Sequence, residues 1–380
     1  MSEEGRLSIP STMRAWTYTR RGLPSQVVQL DPHFKAPSLS DIGPDDVLVE
    51  INYAAMNGGV AWIMQVLSPL PFSWTAKNRI AVPELEFSGT ILAVGREVLA
   101  ARVDLQPGTL VFGSCRPAEH FRLGRGTLAE YVVAPASRVV TISIAGEEAA
   151  AAVSKLSLAE ASGIGAVGAT AIQTLDLSGL KTGDKVLVNG GSAGTGVMMV
   201  QIARHVVGES GQVVATCSAA NAELVKSLGA DEVIDYRKHD PLHEYLRVSH
   251  HAEQPFDAII DCIGIQDLYT HSPDYLARGK PYLNIGAYTA TPTLAGFLTW
   301  AWKQLSNRFW PTFLGGVPRP YIFHSATPDV KTLNRVKQLV AEGKLRQVVD
   351  SIWEMEDVPK AYQRMESKRA RGKVIIHIQD

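Results

Sequence analysis

Over the first 150 residues, short β-branched runs alternate with Gly, Pro and Asp. Asp46 to Asn52, Ile91 to Gly95, Thr109 to Gly113 and Leu128 to Val133 have the length and apolar content of strands, which predicts a β-rich domain. The pattern changes from Ser157. Apolar runs of strand length now alternate with helix-length segments, the arrangement that builds βαβ units and a parallel sheet. The strands expected there are Lys185 to Asn189, Gln212 to Cys217, Glu232 to Asp235, Ala258 to Asp261 and Pro281 to Ile285, with helices over Gly194 to Val207 and Ala220 to Leu228. A further helix is expected around Val330 to Glu342. The last run, Gly372 to Ile378, is strand-like and falls too late for the parallel sheet, so it is expected to return to the first domain. These expectations define an α/β chain divided at 1–153, 154–322 and 323–380, with the outer two pieces forming one domain.

At 380 residues the chain exceeds what one core usually fills, which fits about two domains. A content of 46% hydrophobic and 20% charged residues is globular and excludes a disordered chain. The 37 basic residues are offset by 38 acidic ones, which leaves no net field to attract a phosphate backbone or an anionic membrane, and nucleic acid is not an expected partner. Three cysteines, Cys115, Cys217 and Cys262, are too few for a disulfide framework. A reducing, cytoplasmic setting is expected. The opening Met1-Ser-Glu-Glu-Gly reads as a short solvated leader rather than a signal peptide. The longest apolar candidate, Thr293 to Leu314, is interrupted by Lys303 and Arg308, so no transmembrane segment is expected.

After the strand Lys185-Val-Leu-Val-Asn189 come Gly190, Gly191, Ser192, Ala193, Gly194, Thr195 and Gly196, and then the helical run Val197 to Ala203. Strand, glycine loop and helix appear in the order that lets backbone N–H groups and a helix N-terminus approach a pyrophosphate without a Cβ in the way. An acid at the end of the next strand would bind the ribose 2′-OH of NAD and repel a 2′-phosphate. Here the chain reads Ala215-Thr-Cys-Ser-Ala-Ala-Asn221, with no acid before Glu223. The site therefore favours NADP(H). Ser218 and Asn221 can donate to the phosphate, and Tyr236, followed by Arg237 and Lys238, can complete the pocket; a packing role at a strand end is the alternative for Tyr236.

With these motifs on the page, the chain resembles the medium-chain dehydrogenase/reductase superfamily, in particular its zinc-independent quinone oxidoreductase and enoyl reductase branch. Carriers of the resemblance are Val47 to Asn57, Glu86-Phe-Ser-Gly-Thr-Ile-Leu-Ala-Val-Gly95, Gly126-Thr-Leu-Ala-Glu-Tyr-Val-Val133 and Ala166-Val-Gly-Ala-Thr-Ala171. The glycine loop, Leu228 to Tyr236, Asn284-Ile-Gly286 and Ala370-Arg-Gly-Lys-Val-Ile375 extend it over almost the whole chain. The resemblance implies a GroES-like β-barrel catalytic domain built from both chain ends, a Rossmann doubly wound parallel-sheet domain, an active site in the cleft between them and a possible homodimer.

Alcohol-oxidising members of that superfamily hold a catalytic zinc on sulfur and imidazole ligands, and the matching positions here are Asn57, Leu85 and Ala166. An amide, an isobutyl group and a methyl cannot make that site, and no metal is expected. The histidines offer no substitute: His120 and the pair His250-His251 are expected to be solvated loop residues. Without a Lewis acid the oxidation of an unactivated alcohol is hard, whereas a carbon–carbon double bond conjugated to a carbonyl, or a quinone, already carries an electrophilic carbon. An NADPH-dependent reductase of such an apolar small molecule is expected. A metal-free carbonyl or alcohol dehydrogenase, and an NADPH-binding scaffold or sensor, are the alternatives.

Site residues follow from the resemblance, position by position. Asn57 is implied as a donor to the substrate carbonyl, or else as a loop cap. Thr170 is implied near the nicotinamide carboxamide, or as a helix-lining residue, and Cys262, Ile263 and Gly286 along the cofactor. Trp62 lines the substrate or is a core tryptophan, and Tyr53 packs. The chain departs from the family where Asn-Pro-x-Asp is common, reading Asn57-Gly-Gly-Val60, so a relay through that acid is in doubt. Three of seven tryptophans fall within Thr293 to Leu314. A helix there, carrying Trp300 and Trp302, is expected to cover a large apolar substrate; a buried helix, an oligomer contact or an interfacial membrane helix are the other readings.

Overall fold

The structure is a computed structural model that describes residues 9–67, 69, 79–142, 156–287 and 292–380. The expected leader and the 153/154 division lie outside the described residues. Two compact units are present. One comprises the chain up to Ala166 with Pro328–Glu342 and Val349–Asp380, and the other Val167–Thr327 with Gly343–Val348.

The first unit is all-β in its framework. Strands β1 (Thr12–Thr17) and β2 (Gln29–Lys35) pair antiparallel as a separate ribbon. β3 (Asp46–Ala55), β4 (Glu86–Val94), β5 (Leu110–Ser114), β6 (Tyr131–Pro135) and β7 (Val139–Thr141) continue the chain. The sheet that they form runs β14 (Val349–Glu354), β15 (Lys373–His377), β3, β4, β5, β7, with β6 also on β3. The late strand thus returns as expected: β15 runs antiparallel to β3, with Ile375 opposite Ala55 and His377 opposite Tyr53. β3 and β4 register over most of their length with two shifts, a bent long pair suited to closing a barrel. Inward side chains such as Val49, Ile51, Phe87, Ile91, Leu128 and Tyr362 form the core, and full burial of each contributes roughly 1.5–3 kcal/mol.

The second unit holds β8 (Lys185–Asn189), β9 (Gln212–Cys217), β10 (Glu232–Asp235), β11 (Ala258–Asp261), β12 (Tyr282–Asn284) and β13 (Tyr321–Phe323). Their order in the sheet is β10-β9-β8-β11-β12-β13, every pair parallel. That is the 3-2-1-4-5-6 order of a dinucleotide-binding sheet. Val186, Leu187, Val188, Val213 and Val214 are fully buried, as strands covered on both faces must be. The sixth strand, which the sequence pattern does not single out, carries the sheet through the expected 322/323 division. Among the described residues, no helix is long and apolar enough to cross a membrane.

Candidate active site

In the second unit the loop after β8 is held by a buried polar network. Asp261, at the end of β11, accepts from the backbone N–H groups of Ile263, Gly264 and Ile265 at 2.9, 2.9 and 2.7 Å, from Tyr282 Oη at 2.6 Å and from Asn189 Nδ2 at 2.8 Å. Asn189 in turn accepts from Thr216 Oγ1 at 2.6 Å, and Thr216 Oγ1 accepts from Gly190 N at 2.9 Å. With five donors the carboxylate is satisfied without an ion pair. One network therefore fixes the glycine loop, the Cys262–Ile263 loop and the end of β9 together. Sequence reasoning missed Asn189, Thr216 and Asp261; the signal for them is polar residues closing apolar strand runs.

Backbone space explains the glycines. A Cβ on Gly196 would lie 2.0 Å from the carbonyl oxygen of Gly190, and one on Gly286 would lie 2.1 Å from the carbonyl carbon of Ile263. Gly190 sits at φ +85°, where a side chain is strained. The helix Gly196–Val207 begins at Thr195 without a side-chain cap; Val197 N donates to the Ala193 carbonyl at 3.0 Å and Met198 N and Met199 N to that of Thr195, so the turn packs closely on the loop and its dipole points at the loop's own N–H groups. The loop therefore fits the pyrophosphate of a dinucleotide. Asn221 Nδ2 donates to Ser192 Oγ at 3.0 Å, and Tyr236 N donates to the Cys217 carbonyl at 3.3 Å, so Ser192, Ser218, Asn221 and Tyr236 gather at the carboxyl ends of β9 and β10. Tyr236 is 44% exposed, with the Arg237 guanidinium over its ring at 5.8 Å, rather than packed into a core. Thr170 lies within the helix Leu158–Ser178, where its carbonyl accepts from Thr174 Oγ1 at 2.7 Å.

In the first unit Asn57 caps no helix with its side chain. Its amide is instead held between two buried charges. Lys373 Nζ donates to Asn57 Oδ1 at 2.7 Å, to the Met56 carbonyl at 3.2 Å and to Glu86 Oε2 at 2.6 Å, and Glu86 Oε1 accepts from Ala166 N at 2.6 Å. On the other side Glu84 accepts from Asn57 N at 2.8 Å and from Tyr362 Oη at 2.9 Å. Asn57 Nδ2 points to the Ala55 carbonyl at 3.2 Å, with Glu84 Oε2 at 3.5 Å. Lys373, Glu84 and Glu86 were not singled out from sequence, because nothing local marks them as buried. Val60, in place of the loop acid, is buried in the apolar core of the first unit.

Glu84 is fully buried and sits at φ +66°, a left-handed conformation rare outside glycine. Desolvation pushes its carboxyl up to about 7, partly opposed by Tyr362, Lys373 and Asn57. Below pH ~4.5 both folded and unfolded chains hold the proton; above it the unfolded chain releases it first, so stability is lost as pH rises toward about 7. The contribution at stake is roughly 3 kcal/mol. Glu84→Gln is expected to flatten the fall in denaturation midpoint between pH 5 and 8; parallel profiles for the two proteins would contradict the assignment.

The same residues test for zinc. Among the described residues, the side chains bonded to Asn57 and to Ala166 N are the Glu86 carboxylate and the Lys373 ammonium, paired with each other, and the Glu84 carboxyl. That donor set does not fit a zinc site. Cys115 does lie beside Leu85, its N–H donating to the Leu85 carbonyl at 2.8 Å, but burial pushes its thiol up to about 12 and that of Cys217 up to about 11, so both are packed thiols.

Two expectations are corrected. His120 is not a solvated loop residue; it is buried in the helix Pro117–Leu123, with Nε2 3.1 Å from Tyr18 Oη and Nδ1 3.0 Å from the Arg125 carbonyl. His251 is also buried, in the helix His250–Glu253 with Nε2 3.2 Å from Glu232, and burial pushes its pKa down to about 4; only His250 of that pair is exposed. Both were hidden because their cover comes from elements distant in sequence. Trp62 is half-buried on the helix Gly58–Val66. Tyr53 packs on the His377 ring at 4.9 Å. The segment from Thr293 does form a helix, Leu294–Phe309, capped by Thr293 accepting from Gly296 N at 3.1 Å, but none of its residues is buried. Trp300 faces inward against Phe323 at 5.3 Å, while Trp302 faces outward at 64% exposure, so the two do not share a face.

The glycine loop, the six parallel strands and the β-rich partner unit define a class, and comparison agrees with it. Residues 43–144 match the alcohol dehydrogenase GroES-like domain and residues 228–376 match a family described as zinc-binding dehydrogenase. The chain belongs to the medium-chain dehydrogenase/reductase superfamily and is an oxidoreductase. More particularly, it is 49% identical to the trans-enoyl reductase poxH of Penicillium oxalicum, over 98% of this chain and 100% of that one. It is 38% identical to the medium chain reductase pydE of an Acremonium species, over 97% and 99%. Among solved structures, the quinone oxidoreductase from Coxiella burnetii superposes with a TM-score of 0.72 at 22% identity, covering 97% of this chain and 99% of that chain, a likeness of fold.

Proposed function

We propose that this chain is an NADPH-dependent reductase of a carbon–carbon double bond conjugated to a carbonyl, acting on an apolar small molecule without zinc. The observation that carries the reading is the Lys373–Asn57–Glu86 cluster at the superfamily's zinc position: it holds an amide and a fixed ammonium where alcohol oxidation needs a metal. Strong identity to an enzyme named a trans-enoyl reductase supports the same reaction class.

In this reading the loop Gly190 to Gly196 and the uncapped helix after it hold the pyrophosphate, while Ser218, Asn221 and Tyr236 hold the 2′-phosphate. Thr170, Cys262, Ile263 and Gly286 shape the nicotinamide end. Bound NADPH supplies the hydride. Asn57 Nδ2 turns from the Ala55 carbonyl to the substrate's carbonyl oxygen, where negative charge grows as the double bond is reduced. Lys373, hydrogen-bonded to Asn57 Oδ1, fixes which end of the amide faces outward and polarises it as a donor. The remaining proton comes from water, since Val60 replaces the loop acid. Trp62 and Trp300 contribute apolar contact to the substrate.

The test is a stereospecific hydride-transfer assay with an enone, a quinone and a ketone. NADPH oxidation with the enone is the expected result; turnover of the ketone alone, or cofactor binding without turnover on any of the three, overturns the reading. In fluorescence titration NADPH is expected to bind more tightly than NADH, and the reverse order would remove the phosphate pocket at Ser218 and Tyr236.

A further inference from the structure

The helix Leu294–Phe309 is inside out. Leu294, Leu298, Trp302, Leu305 and Phe309 recur at spacings of three or four and so share one face, and that face is the exposed one, with Phe309 73% accessible. The opposite face mixes the aromatic pair Phe297 and Trp300, the latter against Phe323, with polar residues that are tied down. Gln304 accepts from Tyr321 Oη and from Asn284 Nδ2, Asn307 and Gln266 exchange amide hydrogen bonds at 2.9 and 3.0 Å, and Arg308 donates to the Tyr321 carbonyl at 3.3 Å. Rotating the apolar face inward would strip these buried bonds. Past the helix the apolar ridge continues through Trp310 and Phe313, the latter 85% exposed.

Charge around the ridge is as unusual as its apolarity. Acids make up 38 of the 380 residues, yet between Asp274 and Asp329 there is none, while Arg278, Lys280, Lys303, Arg308 and Arg319 all fall there. Among the described residues only Lys280 of these five has a carboxylate partner, Asp257 at 2.8 Å. Arg319 spends its donors on the carbonyls of Pro273, Leu276 and Pro318. On the helix itself the charged side chains are Lys303 and Arg308, with no acid, so the sequence argument against an anionic membrane, made from the average over the whole chain, does not apply to this helix.

We propose that this ridge docks on an anionic lipid surface, with Phe309, Phe313 and the leucines entering the acyl boundary and Trp302 and Trp310 at the headgroup level. Lys303, exposed beside Trp302, then faces lipid phosphates and carboxylates. A second copy fits less well: an isologous pair of ridges offers no acid from this stretch of chain to meet Lys303. The inference does not rest on the reductase reading.

The experiment is co-sedimentation of the full chain with phosphatidylcholine vesicles, with and without phosphatidylserine, alongside Phe309→Ser/Phe313→Ser and Lys303→Glu variants whose melting temperatures check folding. Wild type is expected to bind the phosphatidylserine vesicles and to be released by salt, the double variant to lose about tenfold or more in affinity, and Lys303→Glu to weaken binding with its fold intact. Absence of vesicle binding overturns the proposal, as does equal binding to both vesicle types. So does a wild-type dimer that the double variant converts to monomer without any vesicle effect, which would assign the ridge to a second copy. A ridge that binds an acidic protein but no vesicle would assign it to a protein partner.

Discussion

Replacing Lys373 with methionine is expected to lower the free energy of unfolding by about 3–5 kcal/mol, the cost of leaving one member of a buried ion pair alone. Lys373 and Glu86 are 3% and 1% exposed and 2.6 Å apart, so the carboxylate that remains would keep, among the described residues, the Ala166 N–H as its hydrogen-bond partner. Adding Glu86→Leu is expected to recover about half of the loss, since removing both charges removes the desolvation problem while the Asn57 amide oxygen still lacks the ammonium that donated to it. Chemical denaturation of the two single variants and the double variant measures this as a cycle. If the two single losses add in the double variant, the pair is not coupled as its geometry requires. Asn57 would also be free to turn, so the single variant is expected to lose turnover by about tenfold or more with little change in KM for NADPH. Unchanged kcat in a folded Lys373→Met protein would dismiss Lys373 as a positioning residue.

Gly196→Ala is the second large effect. The added methyl would stand 2.0 Å from the Gly190 carbonyl oxygen, a clash between backbone and Cβ that no rotamer relieves. The loop must open to admit it, which moves the helix N-terminus from the anion position. Loss of NADPH affinity by on the order of a hundredfold is expected, from misplacement of charge-assisted hydrogen bonds together worth about 3 kcal/mol. Stability without cofactor should fall less, by on the order of 1–3 kcal/mol. Isothermal titration with NADPH decides it: wild-type affinity in the variant would mean that this turn does not hold the pyrophosphate.

How much of this was legible in the chain depends on where each residue's partner lies. The strands β8, β9 and β11 are buried on both faces, so each centres on an apolar run whose ends can be counted, and the structure reproduces those ends, as it does those of the edge strand β10. The glycine loop is similarly local. β4 is different: it starts five residues earlier than its apolar run suggests, because Glu86 at its start becomes tolerable in a sheet only through Lys373, 287 residues away. Glu84 and His251 are hidden in the same way, since burial by distant elements is not a property of their own neighbourhoods. β13 is three residues long, too short to carry a period, and the apolar ridge of Leu294–Phe309 reads from sequence as a face seeking a core. Only the inward hydrogen bonds of Gln304 and Asn307 show that it turns the other way.

The place of β15 in its sheet carries a consequence for biosynthesis. Lys373 orients Asn57, and the strand that bears it is hydrogen-bonded between β14 and β3. A ribosome that has finished the first 150 residues has made β3, β4 and β5 with a gap where β15 belongs, and Glu86 waits there without its cation. The first unit therefore cannot mature in step with translation as an N-terminal domain ordinarily does. The Tyr53–Ala55 end of β3 lacks its partner strand until Lys373 to His377 have been made, so the order of Asn57 is set by a residue 316 positions later in the chain.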